Sequence, residues 1–179
     1  MNTRIIISGF GGQGIMFAGT ILCHAGMREG RNVTFFPSYG AEIRGGTANC
    51  QVIISDEPIG SPIIDRADIL ISFNRPSYEL FSPRINTDGT IFANTSLFEP
   101  EQLPGIKLIC IPSNNIAEDC GSILSLNMVM LGALIGDHQT VDLESVTACI
   151  PDFFTGKKER FREINIKALK AGFDYSKKT

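Results

Sequence analysis

The chain has no C-x-x-C pair, and its five cysteines stand far apart at Cys23, Cys50, Cys110, Cys120 and Cys149. An odd, scattered set argues against a disulfide framework. It argues equally against an iron–sulfur cluster held within this chain, because such clusters usually take at least one close cysteine pair. The expectation is reduced, mostly buried thiols in a cytoplasmic protein. Histidine is scarce: His24 and His138 are the only two, and neither has a partner at metal-ligand spacing. His24 falls within the first expected helix, where a packing or surface role is the simpler reading. No segment reaches the ~18 apolar residues of a membrane span. Ile5, Ile6 and Ile7 are cut off by Ser8 and Gly9, so the start does not read as a signal peptide. Neither charge sign dominates, with 16 Lys and Arg against 19 Asp and Glu. That balance gives no ground for nucleic acid or an anionic membrane as a partner. Paired carboxylates, a nucleophile elbow, a metal-ligand cluster and a phosphate loop bearing a lysine are also missing. No residue is therefore assigned as catalytic and none as a metal ligand.

What is present begins with a strand, a glycine turn and a helix. Ile5, Ile6 and Ile7 form a short β-branched run of the kind found in buried parallel strands. Gly9-Phe10-Gly11-Gly12-Gln13-Gly14 follows and fits G-x-G-x-x-G. A helix is expected over 13–29, with Ile15, Ala18, Ile21, Leu22 and Ala25 on its inner face and Gly30 as its stop. The first amides of such a helix lack internal partners and attract negative charge. The turn therefore reads as a place for a phosphate, or as a tight turn that packs helix on strand with no ligand.

A second strand over 33–36, ending at Pro37, would complete a βαβ start. A dinucleotide-binding unit places Asp or Glu about 20 residues beyond the glycines. Here the chain reads Phe35-Phe36-Pro37-Ser38-Tyr39, and the nearest acid, Glu42, comes after a proline and a glycine. The NAD reading loses its second support. The next segment, 38–47, is too glycine-rich for a helix and too polar for a buried strand. It carries Tyr39, Glu42, Arg44, Gly45 and Gly46. It reads either as a functional loop held by a sheet or as a structural hairpin or crossover in which Arg44 pairs with Glu42.

Further strands are expected over 48–55, 67–73, 89–94 and 106–111, with Asp88-Gly89 as a turn. Short helices are expected over 77–81, over 114–119 capped by Ser113, and over 143–149 capped by Asp142. The stretch 124–135 is apolar nearly all round, as in a helix buried on most sides. In it, Met128 and Met130 read as core filling, and Asn127 reads as a side chain satisfied by nearby backbone. The last helix, over 157–172, turns Phe161, Ile164, Ala168, Leu169 and Phe173 to one side. Half of the 16 basic residues fall in 157–178, which reads as a solvated face rather than an acidic-partner site. Strands alternating with helices indicate an α/β fold: one Rossmann-like, three-layer domain over 1–179 with a mainly parallel central sheet.

Three segments together resemble the gamma subunit of 2-oxoacid:ferredoxin oxidoreductases. They are the glycine turn 9–14, Tyr39-Gly40-Ala41-Glu42-Ile43-Arg44-Gly45-Gly46, and Asn127-Met128-Val129-Met130-Leu131-Gly132-Ala133-Leu134, in the same order and spacing. The resemblance covers nearly the whole chain and is nearest the short gamma chain of the 2-oxoglutarate synthase type. Pyruvate, branched-chain and indolepyruvate enzymes have similar gamma domains. The resemblance implies an enzyme that converts a 2-oxoacid, coenzyme A and oxidised ferredoxin to acyl-CoA, carbon dioxide and reduced ferredoxin. It implies that thiamine diphosphate, magnesium and iron–sulfur clusters belong to partner alpha, beta and ferredoxin-like delta subunits, and that the chain has little activity alone. Gly9, Gly11, Gly12, Gln13 and Gly14 match the family's glycine turn, implied to take a coenzyme A phosphate or a partner loop. Tyr39, Glu42, Arg44, Gly45 and Gly46 match the second motif, with Arg44 as the anion contact. Ala41 stands where many relatives have proline. A stand-alone NAD- or flavin-binding enzyme and a simple coenzyme A-binding module are the competing readings.

Overall fold

The computed structural model describes residues 2–39 and 47–178. Residues 2–111 supply one six-stranded sheet in the order β2-β3-β1-β4-β5-β6. Its strands are β1 (Asn2–Phe10), β2 (Asn32–Tyr39), β3 (Thr47–Ser55), β4 (Ala67–Ser72), β5 (Ile85–Asn94) and β6 (Lys107–Ile111). The pairings of β1 with β4, β4 with β5 and β5 with β6 are parallel, whereas β3 lies antiparallel to both β1 and β2. The α/β class and mainly parallel sheet are as the sequence indicates. The expected βαβ start has a modification: β3 sits between β1 and β2, so those two strands run the same way but never touch.

Ile5, Ile6, Ile7, Ile69, Leu70 and Ile71 are fully buried because β1 and β4 are covered on both faces. One face carries α1 (Ile15–Arg28), α4 (Leu126–His138), α5 (Leu143–Phe153) and α6 (Arg162–Ser176), with α3 (Ser113–Cys120) beside them. Among the described residues, the other face carries the short helix α2 (Arg75–Phe81) and the segments 57–66 and 95–106. α4 is buried all round, as its composition requires. It crosses α6 at glycines. A Cβ on Gly172 would stand 2.9 Å from Val129 Cα, and one on Gly132 the same distance from Phe173 N.

Several local expectations need correction. β2 continues through Pro37, because it is an edge strand, where a missing N–H facing outward costs no ladder bond. Asp88 and Gly89 lie inside β5, where the register against β4 slips between Ala67 and Ile69. A Cβ on Gly89 would come within 2.9 Å of two backbone oxygens, so the glycine marks a close approach of strands rather than a turn. Ser113 is the first residue of α3, not its cap, and its hydroxyl has no partner among the described residues. Asp142 does precede α5 but makes no side-chain cap bond. Leu124 falls in a 3-10 turn, Ile123–Ser125, ahead of α4 and is 76% exposed. Another 3-10 turn, Gly156–Phe161, occupies the expected start of the last helix. Among the described residues no helix is long and apolar enough to cross a membrane.

Candidate functional site

The carboxyl ends of β1 and β4 lie side by side, yet the chain leaves them in opposite directions. After β1 it enters α1 on one face, and after β4 it enters α2 on the other. Such a divergence opens a crevice at the strand ends, where ligands of open α/β sheets usually bind. The glycine turn stands there. Gln13 N–H donates to Phe10 O at 3.2 Å, and Gly12 takes φ +93°, as the third position of a type II turn demands. Gly14, at φ +76°, then caps α1. Gly9 has no room for a side chain: a Cβ would meet Gln13 Oε1 at 2.6 Å and Phe73 Cβ at 2.9 Å. Gly11 and Gly12 are exposed, and no acceptor among the described residues takes up their amides.

Gln13 does not serve the turn by its backbone alone. Its Oε1 accepts from Phe10 N–H at 2.7 Å and from Asn74 Nδ2 at 3.1 Å. Asn74 is buried and caps α2, its Oδ1 accepting from Ser77 N–H at 2.9 Å. The backbone donors fix the orientation of both amides. Ser72 Oγ donates to Asn74 O, and Asn94, at the end of β5, donates to Asn114 Oδ1. The hydroxyls of Ser8 and Ser77 are buried along this edge with no partner among the described residues. Asn127 is held as expected for a backbone-satisfied side chain: Nδ2 donates to Gly14 O and Oδ1 accepts from Met128 N–H.

Beside the turn lies a cleft of about 350 Å³, reaching Gly12 and Gly14. Phe17, Phe153, Phe154, Phe161 and Leu124 make it apolar, and Lys158 adds a cation. Phe17 meets Phe153 and Phe154 edge-on, at ring separations of 5.5 and 5.4 Å. The Arg162 guanidinium donates to Phe154 O at 2.6 Å and fixes the end of α5. A larger cleft of about 540 Å³, with Arg4 and Arg66 in its walls, lies at the opposite, amino edge of the parallel strands. It is far from the switch point, so chemistry rather than size selects the smaller cleft.

The second motif starts at the same edge. Tyr39 closes β2 against Ala48, and Thr47 pairs with Phe10 beside the glycine turn. Glu42, Arg44, Gly45 and Gly46 lie outside the described residues. Asn74 and the cleft aromatics were not assigned from the sequence. Asn74-Arg75-Pro76 does carry a cap signal, asparagine followed by a proline in the first turn. Of the aromatics, Phe17 is distant in sequence from Phe153, Phe154 and Phe161, and no motif joins them.

The thiols are not prepared for chemistry. Burial pushes the Cys23 thiol up to about 12 and raises that of Cys50 further. Cys110 on β6 is exposed, while the other four are buried. Burial also lowers the His138 imidazole, partly countered by Asp137. Among the described residues, no three His, Cys, Asp or Glu side chains come together as a metal site.

The family described as pyruvate ferredoxin/flavodoxin oxidoreductase matches residues 4–175. The chain belongs to this family. Among its relatives in the oxidoreductase family is the ketoisovalerate oxidoreductase subunit VorA of Methanothermobacter marburgensis, 37% identical over 176 residues. That match takes in 98% of this chain but 37% of the relative's length, so the chain spans little more than a third of it. The 2-oxoglutarate synthase subunit KorC of Methanocaldococcus jannaschii is 34% identical, covering 99% of this chain and 95% of that one. The keto/oxoacid ferredoxin oxidoreductase gamma subunit of Geobacter sulfurreducens shares the fold with a TM-score of 0.86 and 27% identity, over 99% of both chains. The 2-oxoglutarate:ferredoxin oxidoreductase of Magnetococcus marinus, solved with 2-oxoglutarate, coenzyme A and succinyl-CoA bound, reaches 0.92 at 30% identity. It covers 99% of this chain and 31% of that one.

Proposed function

We propose that the chain is the gamma subunit of a 2-oxoacid:ferredoxin oxidoreductase, and that its glycine turn and aromatic cleft take part of coenzyme A. The observation carrying this reading is the pairing of two unlike surfaces. Exposed amides at Gly11 and Gly12, without an acceptor among the described residues, adjoin an apolar cleft that contains Lys158. A ligand with phosphates at one end and a thioalkyl amide arm suits both. Gly9, Gln13 and Gly14 shape the turn. Tyr39, Glu42, Arg44, Gly45 and Gly46 complete the site from the second motif, with Arg44 as the anion contact. Partner alpha, beta and ferredoxin-like delta chains supply thiamine diphosphate, magnesium and iron–sulfur clusters, and the complex passes electrons to ferredoxin in the cytoplasm. The four buried thiols, scattered over α1, β3, α3 and α5, fit a chain that leaves cluster ligation to others.

The substrate in this reading is 2-oxoglutarate. Its support is the end-to-end match with a short 2-oxoglutarate synthase subunit, against the partial match with the longer ketoisovalerate relative. The test is affinity purification of the tagged chain from its native cell, followed by assay of the recovered complex with a panel of 2-oxoacids. Recovery of a thiamine-binding chain and preferred turnover of 2-oxoglutarate is the expected result. Preferred turnover of 3-methyl-2-oxobutanoate would move the substrate to the branched-chain class. A solitary chain that binds NAD or flavin would overturn the subunit reading. Arg44→Ala in the complex lowers turnover without unfolding the chain; unchanged turnover would remove Arg44 from the site.

A further inference from the structure

We infer that Gln13 is a positioning residue whose side chain, through Asn74, locks the glycine turn to the start of α2. The two residues are 61 positions apart in sequence and lie on opposite sides of the switch point. Gln13 Oε1 is the shared acceptor. It takes Phe10 N–H, the first amide of the turn, at 2.7 Å and Asn74 Nδ2 at 3.1 Å. Asn74 is itself held from three sides. Its Oδ1 accepts from Ser77 N–H, and its carbonyl accepts from Tyr78 N–H and Ser72 Oγ. It is 3% exposed, while Gln13 is half-buried, so water has limited access to the bond between them. A bond made under those conditions holds better than one at the surface.

The geometry gives Gln13 a different task from the glycines beside it. Gly12 and Gly14 allow the turn, but glycines also leave it free to take other shapes. The bond from Asn74 removes that freedom. It fixes the Gln13 carboxamide, which fixes Phe10 N–H, which sets the plane from which Gly11 and Gly12 present their amides. The link also joins the two chain segments that diverge at the strand ends, so the walls of the crevice hold one spacing. The consequence for coenzyme A rests on the reading of the turn given above.

The test uses the assembled complex and three variants. Asn74→Ser keeps a cap oxygen for Ser77 N–H but has no amide to reach Gln13. Gln13→Leu removes the acceptor, and Gln13→Glu keeps it. Amide hydrogen exchange over residues 9–14 and the coenzyme A dependence of 2-oxoacid-driven viologen reduction are measured for each. Asn74→Ser and Gln13→Leu are expected to speed exchange at Phe10 about five- to tenfold, the scale of one lost hydrogen bond. They should raise the KM for coenzyme A by a similar factor with kcat little changed, and Gln13→Glu should restore both. Faster exchange with an unaltered KM would support the lock while removing coenzyme A from the turn. Wild-type exchange at Phe10 in Asn74→Ser would overturn the inference, because the distant amide would then have no hold on the turn.

Discussion

A single backbone angle decides what residue 12 can be. Gly12 sits at φ +93° with no described atom within 4 Å of a Cβ there, so among the described residues alanine meets no clash and only conformational strain. Gly12→Ala is expected to cost about 1 kcal/mol in chemical denaturation, from the left-handed backbone alone. Gly9 is the opposite case, forbidden a side chain by Gln13, Ile15 and Phe73 rather than by its backbone. The thiols separate in the same manner. In the native chain, iodoacetamide should modify Cys110 and leave Cys23, Cys50, Cys120 and Cys149 unreacted, with all five labelled in denaturant. Mass analysis before and after unfolding checks this. His138 gives a pH signature. Burial holds its folded imidazole below the ordinary value, so the unfolded chain binds a proton more readily. Its contribution is complete above pH ~6.5 and is lost as pH falls from there through the lowered folded value. His138→Gln should flatten that part of a stability–pH curve measured by denaturant titration.

At the scale of elements, the tightest junction is α4 against α6. Gly132 and Gly172 bring the two backbones into contact, with Leu169, Val129 and Phe173 main-chain atoms where a Cβ would lie. Main chain cannot swing aside as a long side chain can. Gly172→Ala should therefore lower stability by about 2–3 kcal/mol, read as a lower urea midpoint at unchanged slope. Elements were legible in the sequence where one physical cause acts alone. Ile5, Ile6 and Ile7 read as a buried strand because burial on both faces favours nothing else. Asp88-Gly89 reads as a turn but lies within β5, because the same dipeptide serves a turn and a slipped register, and only the neighbouring strand distinguishes them. Leu124 looked helical because polarity along 124–135 carries no hint that a 3-10 turn comes first. In the site, the glycine turn was legible from its motif, but the direction of the Gln13 carboxamide depends on Asn74, which no local pattern connects to it. The aromatic cleft was illegible for the same reason: Phe17 on α1 meets Phe153 and Phe154 at the end of α5, and Phe161 after them, only once elements more than 130 residues apart have packed.

For the whole molecule, the two faces of the sheet differ in how they are covered. One carries α1 and the helices from α3 to α6; the other carries α2 and loops, where Leu80, Ile63 and Leu97 remain exposed. Exposed apolar side chains of this kind suit the docking of a partner chain, as the proposed subunit role requires. The position of β3 has a consequence in time. β1 and β2 are joined by α1 yet never pair, and the strand that bridges them begins only at Thr47. A nascent chain that stops short of β3 therefore has two strands and a helix but no sheet. Its first hydrogen-bonded ladder waits until residue 55 has emerged, and the partner on the far side of β1 arrives only with residue 72. Assembly of the central strand is thus a late, long-range event, which favours slow folding. During synthesis, three consecutive isoleucines wait uncovered until the second quarter of the chain has been made.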